Sequence, residues 1–230
     1  MTPDLQTAIA QVAESMREDC HVPLGTPIYA ACSGGADSCF LVHALAAHRE
    51  RWPLAGVIFI DHGLRDVGEE AEASRQAAAR AGAPWTRRAV RLDEHGNLQE
   101  NARVARYTAL LDEAPEDALV ATGHTLDDQG ETVLQRLIRG SGLRGLTAIA
   151  PRDGRLIRPM LAVSASTVRA ARLPHADDPT NATGRFQRNR IRQSALPLLE
   201  EQSPGATEHL ARLASRAADE LSLIDAILDR

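Results

Sequence analysis

The chain has 230 residues, 43% hydrophobic and 25% charged, which suits one good-sized domain with a small appendage and carries no mark of disorder. A formal charge of −5 argues against a generally adhesive nucleic-acid binder. All 26 basic residues are arginine, so any site built on a protein lysine is excluded: the G-x-x-x-x-G-K-[ST] loop, the kinase strand lysine, a Schiff base.

The first residues, MTPDLQTAIAQVAESMRE, carry acids and lack a basic start followed by an apolar block, so no secretory signal is expected. No apolar run approaches the ~20 residues that span a bilayer, and no membrane partner is expected. Strands are expected over 27–33, 54–60, 84–90 and 117–123, short and partly β-branched. Helices are expected between and after them, over 36–50, 67–82, 98–113 and 126–139. Repeated β-α units of this size predict an α/β fold, a Rossmann-like parallel sheet with helices on both faces. From about 141 the chain turns basic and turn-rich, and past Pro204 a helical segment places Leu210, Leu213, Ala217, Leu221, Ile224 and Leu228 on one stripe. The division expected is a catalytic domain over 1–200 and a helical tail or linker over 201–230. Cys20, Cys32 and Cys39 form no C-x-x-C pair, which fits a reduced, cytoplasmic setting.

Ligands of such sheets sit at the carboxyl ends of the strands, and three polar clusters fall there: Ser33–Ser38, Asp61–Arg65 and Gly123–Glu131. In Ser33-Gly34-Gly35-Ala36-Asp37-Ser38, two glycines free the backbone to turn its N–H groups toward one point at a helix N-terminus, which makes a phosphate cradle. Asp37 would repel phosphate unless a divalent cation lay between, and Mg²⁺ shared by a carboxylate and phosphate oxygens answers that. The bland alternative is a capped strand-to-helix turn. Asp128 and Glu131, three apart, share a helix face; a helix-capping role competes for an acid so near the start.

The S-G-G-x-D-S stretch resembles the signature loop of the PP-loop ATP pyrophosphatases, which have an adenine nucleotide alpha hydrolase-like fold. The further motifs IDHGLR, NLQENARVARY, TGHTLDDQGETVLQRLIRGSGLRGL, RPML, and DDPTN followed by RNRIR resemble, in that order, the tRNA(Ile)-lysidine synthases. The resemblance covers residues 27 to 200. It implies a ligase with two steps. The wobble cytidine O2 of a CAU-anticodon tRNA(Ile) attacks the α-phosphate of ATP; the ε-amine of free L-lysine then displaces AMP from C2. By the same resemblance, Ser33, Gly34, Gly35, Ala36, Asp37 and Ser38 hold ATP, Asp37 helps hold Mg²⁺, and Asp61 and His62 border the adenosine. Arg106, Asp128 and Glu131 fall to lysine, with Arg106 forking its carboxylate. His124 orients phosphate or base and completes the catalytic set with Asp37, Arg106, Asp128 and Glu131. Arg139, Arg144, Asp178, Arg188, Asn189 and Arg192 are assigned to tRNA, the arginines as salt-dependent phosphate contacts.

Two departures stand out. His124-Thr125 occupies a place where two histidines are common in the family, and the segment VSASTVRAARLPHADDPTN is about a helical turn short. The rival readings are a thiolase-like PP-loop tRNA-modifying enzyme, an amide-forming PP-loop synthetase, and a tRNA- or ATP-binding remnant without turnover. Cys32 and Cys39 flank the loop as expected core residues, unlike the cysteine pairs a thiolase would use.

Overall fold

The computed structural model describes residues 3–63, 66–90, 98–177 and 187–228, with the backbone alone at 3, 98–100, 187 and 188. Ahead of the first expected strand runs α1 (Pro3–Glu18), which buries Ile9, Val12 and Met16, three to four residues apart as one helical face demands. Then follow β1 (Ile28–Ala31), α2 (Ala36–Ala47), β2 (Leu54–Asp61), α3 (Gly68–Ala81), β3 (Trp85–Ala89), α4 (Leu98–Glu113), β4 (Leu119–Ala121) and α5 (Leu126–Ile138). Each matches an expected element with small shifts at its ends.

Beyond α5 lie α6 (Leu143–Leu146), β5 (Arg152–Asp153), β6 (Leu156–Ile157), α7 (Ala165–Ala170) and α8 (Gln187–Arg190). A π-helical turn (Ile191–Ala195), α9 (Leu196–Gln202) and α10 (Ala206–Leu228) complete the order. The strands β5 and β6 were not expected, because two residues are too few to show an alternation.

Among the described residues the sheet has six strands in the order β3-β2-β1-β4-β6-β5, parallel throughout except for β5 at one edge. Both faces are covered, and the strand alternation shows why. Ile28, Ala30 and Cys32 on β1 and just after it, Val57 on β2, Leu119 and Ala121 on β4 and Ile157 on β6 pack with α1 and α2. Their neighbours Tyr29, Ile58, Val120 and Leu156 point the other way, onto Leu110 and Ala114 on and beside α4. Each such aliphatic side chain, fully buried, contributes about 1.5–3 kcal/mol. Helix α2 buries Phe40, Leu41, Val42, Ala44 and Leu45, so it is apolar almost all round.

Two compact units emerge: Met1–Gly123 with Pro151–Asp178, and His124–Ala150 with Pro179–Arg230. The division expected at residue 200 follows the order of motifs, whereas this one follows packing. The first unit holds the sheet. In the second, α10 packs on α5 and α6. Its buried face is Ala206, Ala214 and Ala217, while Leu213, Ile224 and Leu228 of the expected stripe are exposed. Small residues are chosen there because the helices approach closely: a Cβ on Gly130 of α5 would lie 2.8 Å from Thr207 Cγ2. The Gln129 side chain pins the segment after α6, donating to Ile149 O at 3.0 Å and accepting from Ile149 N at 2.8 Å.

Candidate active site residues

In the first unit, the chain leaves β1 at Cys32 and reverses through Ser33, Gly34 and Gly35 into α2. Gly34 takes φ +84°, and a Cβ there would stand 2.1 Å from the Glu70 carbonyl oxygen of α3. Only glycine meets both conditions. Gly35 is the residue before the helix, so Ala36, Asp37 and Ser38 begin α2 with backbone N–H groups that have no partner within the helix. Ser38 Oγ donates to Gly35 O at 3.0 Å and lies 3.3 Å from Ser33 Oγ, which braces the turn. Ala176 N donates to Gly34 O at 2.9 Å and closes it from the other side. Asp37 is half-buried on the first turn. Gly123, after β4, lets that strand end come close: a Cβ would be 3.1 Å from Asp37 O.

Cys32 and Cys39 are both buried beside this turn, as expected of core thiols, and Cys39 Sγ donates to Gly34 O at 3.4 Å. The neighbouring Cys32 thiol, reinforced by burial, raises the Cys39 thiol far above its usual range.

At the end of β2, Asp61 is already engaged. Arg87 Nη2 donates to its Oδ2 at 2.6 Å and Gly63 N to its Oδ1 at 2.9 Å, and the Arg87 bond leads in holding its carboxyl below the usual range. Next to it, His62 Nδ1 is buried without a hydrogen-bond partner among the described residues. Burial first, then the charge of Arg106, holds His62 below its ordinary value, which favours its neutral form. Arg106 Cζ lies 5.0 Å from the Tyr107 ring centre, and Arg103 Cζ 5.6 Å from it. Burial pushes the Tyr107 hydroxyl up, but the charges of Arg106, Arg158 and Arg103 prevail and leave it below the usual phenol range. Arg158 belongs to the RPML motif and is 4% exposed. Its place in this basic group was missed, although the motif was visible.

In the second unit, Thr125 caps α5 and Asp128 answers it. Thr125 Oγ1 accepts from Asp128 N at 3.4 Å, and Asp128 Oδ2 accepts from Thr125 N at 2.8 Å and from Thr125 Oγ1 at 3.2 Å. The capping role, one of the two readings of the sequence, falls to Asp128 and uses this one oxygen. The other oxygen, Oδ1, accepts from Arg192 Nη2 at 3.1 Å. Arg192 also forks Glu131: Nε donates to Oε1, and Nη2 to Oε2 at 3.1 Å. The Glu131 side chain is 1% exposed, that of Arg192 47%. Two acids expected to hold a cation therefore hold one from this chain. Arg192 was expected on the RNA instead, and only the fold could reveal its partner.

The remaining expectations are scattered. Arg139 ends α5 on the surface, and His124 and Asn189 are half-buried. Arg144 is exposed and pairs with Asp225 of α10 at 2.8 Å. Asp178 and the Arg188 side chain lie outside the described residues. Among the described residues no cluster of three His, Cys, Asp or Glu could hold a metal, and no helix is long and apolar enough to cross a membrane.

A glycine-bearing strand-to-helix turn at the carboxyl end of a doubly covered parallel sheet suits a PP-loop domain, and residues 1–199 match that domain family. A U34-tRNA thiolase from Methanococcus maripaludis, solved with its [4Fe-4S] cluster, shares the fold at a TM-score of 0.74. It is 17% identical over 93% of this chain and 79% of that one. A tRNA(Ile)-lysidine synthase of Thermobifida fusca is 42% identical over 219 residues, covering 91% of this chain and 68% of that protein. That of Pseudomonas aeruginosa is 39% identical over 204 residues, covering 83% of this chain and 46% of that protein. The chain belongs to the tRNA(Ile)-lysidine synthase family. It spans between about half and two thirds of the length of these relatives.

Proposed function

We propose that the protein ligates free lysine to C2 of the wobble cytidine in the CAU anticodon of tRNA(Ile), consuming ATP. Attack of the cytidine O2 on the α-phosphorus releases pyrophosphate; attack of the lysine ε-amine on C2 then breaks the C2–O bond and releases AMP. The Ser33–Ser38 turn holds the phosphates through the backbone N–H groups at the start of α2. Asp37 supplies one carboxylate, a donor set that fits Mg²⁺ shared with phosphate oxygens. Bound there, Mg²⁺ would neutralise charge building on the phosphates. His62 and Asp61 border the adenosine, Asp61 held in place by Arg87. Arg106 takes the lysine carboxylate, and its neighbour Arg158 adds positive charge to the same group. Asp128 and Glu131 take the ε-ammonium, and one of them accepts its proton before attack.

The observation that supports this reading most is the pair Asp128–Glu131 closed around a cationic side chain. A sealed carboxylate that requires a cation is the chemistry a lysine ammonium needs. The test is pyrophosphate release from ATP and Mg²⁺ with unmodified CAU-anticodon isoleucine tRNA. Release should require the tRNA and fall by at least about a hundredfold in Asp37→Ala, an electrostatic loss at a transferring phosphate, with the fold intact by circular dichroism. Full release by Asp37→Ala would remove Asp37 from the site.

A further inference from the structure

Arg192 stands where the proposed substrate amine belongs. Its guanidinium uses both oxygens of Glu131 and the one oxygen of Asp128 that the helix cap leaves over. An ammonium must compete with it for those oxygens. The burial is lopsided: Glu131 is sealed from water, whereas nearly half of the Arg192 side chain is wet. Removing a cation from a buried carboxylate is costly, so the departure of Arg192 favours the entry of another cation at Glu131. The half-exposed Arg192 side chain, by contrast, can leave for another anion. It rides on the π-helical turn Ile191–Ala195, a wider winding that gathers at functional positions. The run RNRIR around it is rich in arginine, and arginine forks phosphate as readily as carboxylate.

We propose that Arg192 is an internal occupant of the amino-acid subsite, which it yields to lysine when an RNA phosphate draws it away. The proposal rests on the reading of Asp128 and Glu131 as the lysine subsite. It joins the two roles of Arg192, the one expected from its motif and the one seen in its contacts, as alternate positions of one side chain. It also orders the reaction. In the proposed chemistry, an amine admitted before the RNA would find only ATP to attack, and ATP would be spent without product. Holding the carboxylates until the acceptor is bound removes that loss.

The test is calorimetric titration of L-lysine into the full chain with ATP and Mg²⁺, with and without unmodified CAU-anticodon isoleucine tRNA. Arg192→Gln keeps a polar, though shorter, side chain and removes the charge. It should bind lysine at least about tenfold tighter than wild type in the absence of tRNA. Added tRNA should tighten lysine binding by wild type and leave that of Arg192→Gln unchanged, a dependence that a merely structural ion pair would not produce. Should Arg192→Gln fail to fold, Arg192→Lys keeps the charge, loses the fork and should move in the same direction by less. Lysine affinity that is no tighter in a folded variant, or that is indifferent to tRNA in wild type, overturns the proposal. Glu131→Gln separates the two claims. If it abolishes lysine binding while Arg192→Gln changes nothing, Arg192 alone is misread; if lysine binds Glu131→Gln as it binds wild type, the subsite itself is elsewhere.

Discussion

Gly34 shows how much a single residue settles. Its positive φ and the carbonyl of Glu70 at 2.1 Å from a would-be Cβ leave no room for a side chain. A non-glycine residue held in that conformation costs on the order of 1–3 kcal/mol, before the collision is counted. Gly34→Ala should therefore lower the melting temperature and abolish ATP binding in calorimetry; wild-type affinity would mean that the turn is not the nucleotide cradle. The requirement for glycine was legible in the S-G-G run. The contribution of Glu70 was not, because the contact is made by its backbone, which no side-chain pattern encodes. Arg192 fails to be legible for a different reason: its motif advertises a phosphate ligand, while its partners, Asp128 and Glu131, lie some sixty residues away in sequence.

At the scale of the element, the start of α5 is set by its cap. Thr125 fixes where the helix starts and ties up one Asp128 oxygen, so the other is aimed. Thr125→Val keeps the shape and removes the hydroxyl. The change should cost about 1 kcal/mol of stability and raise the KM for lysine several-fold, with Thr125→Ser close to wild type. An unchanged lysine KM in Thr125→Val would show that Asp128 is positioned without the cap. Where resemblance to the family suggested a second histidine, Thr125 caps the helix; the departure was legible in TGHTLDD, but the capping role was not. The burial of α10 was legible only in part. Helical period marked an apolar stripe, but the face against α5 is built from Ala206, Ala214 and Ala217 beside Gly130. Close packing selects small residues there, and hydrophobicity ranks them low.

Over the whole molecule, the alternation of strand and helix fixed the class of fold, because each strand through residue 121 shows its own run and each crossover its own period. The sheet order, the short strands β5 and β6 and the two non-contiguous units were beyond reach, since they depend on contacts between distant segments. The chemistry proposed for the molecule uses the Ser33–Ser38 turn and the Asp128–Glu131 pair. Its most direct test is incubation with ATP, Mg²⁺ and radiolabelled lysine, offering unmodified CAU-anticodon isoleucine tRNA and, in parallel, methionine tRNA. Label entering the isoleucine tRNA alone, at the wobble cytidine, is the predicted result. Pyrophosphate released with no label in either tRNA would contradict the account by showing that a nucleophile other than lysine completes the reaction.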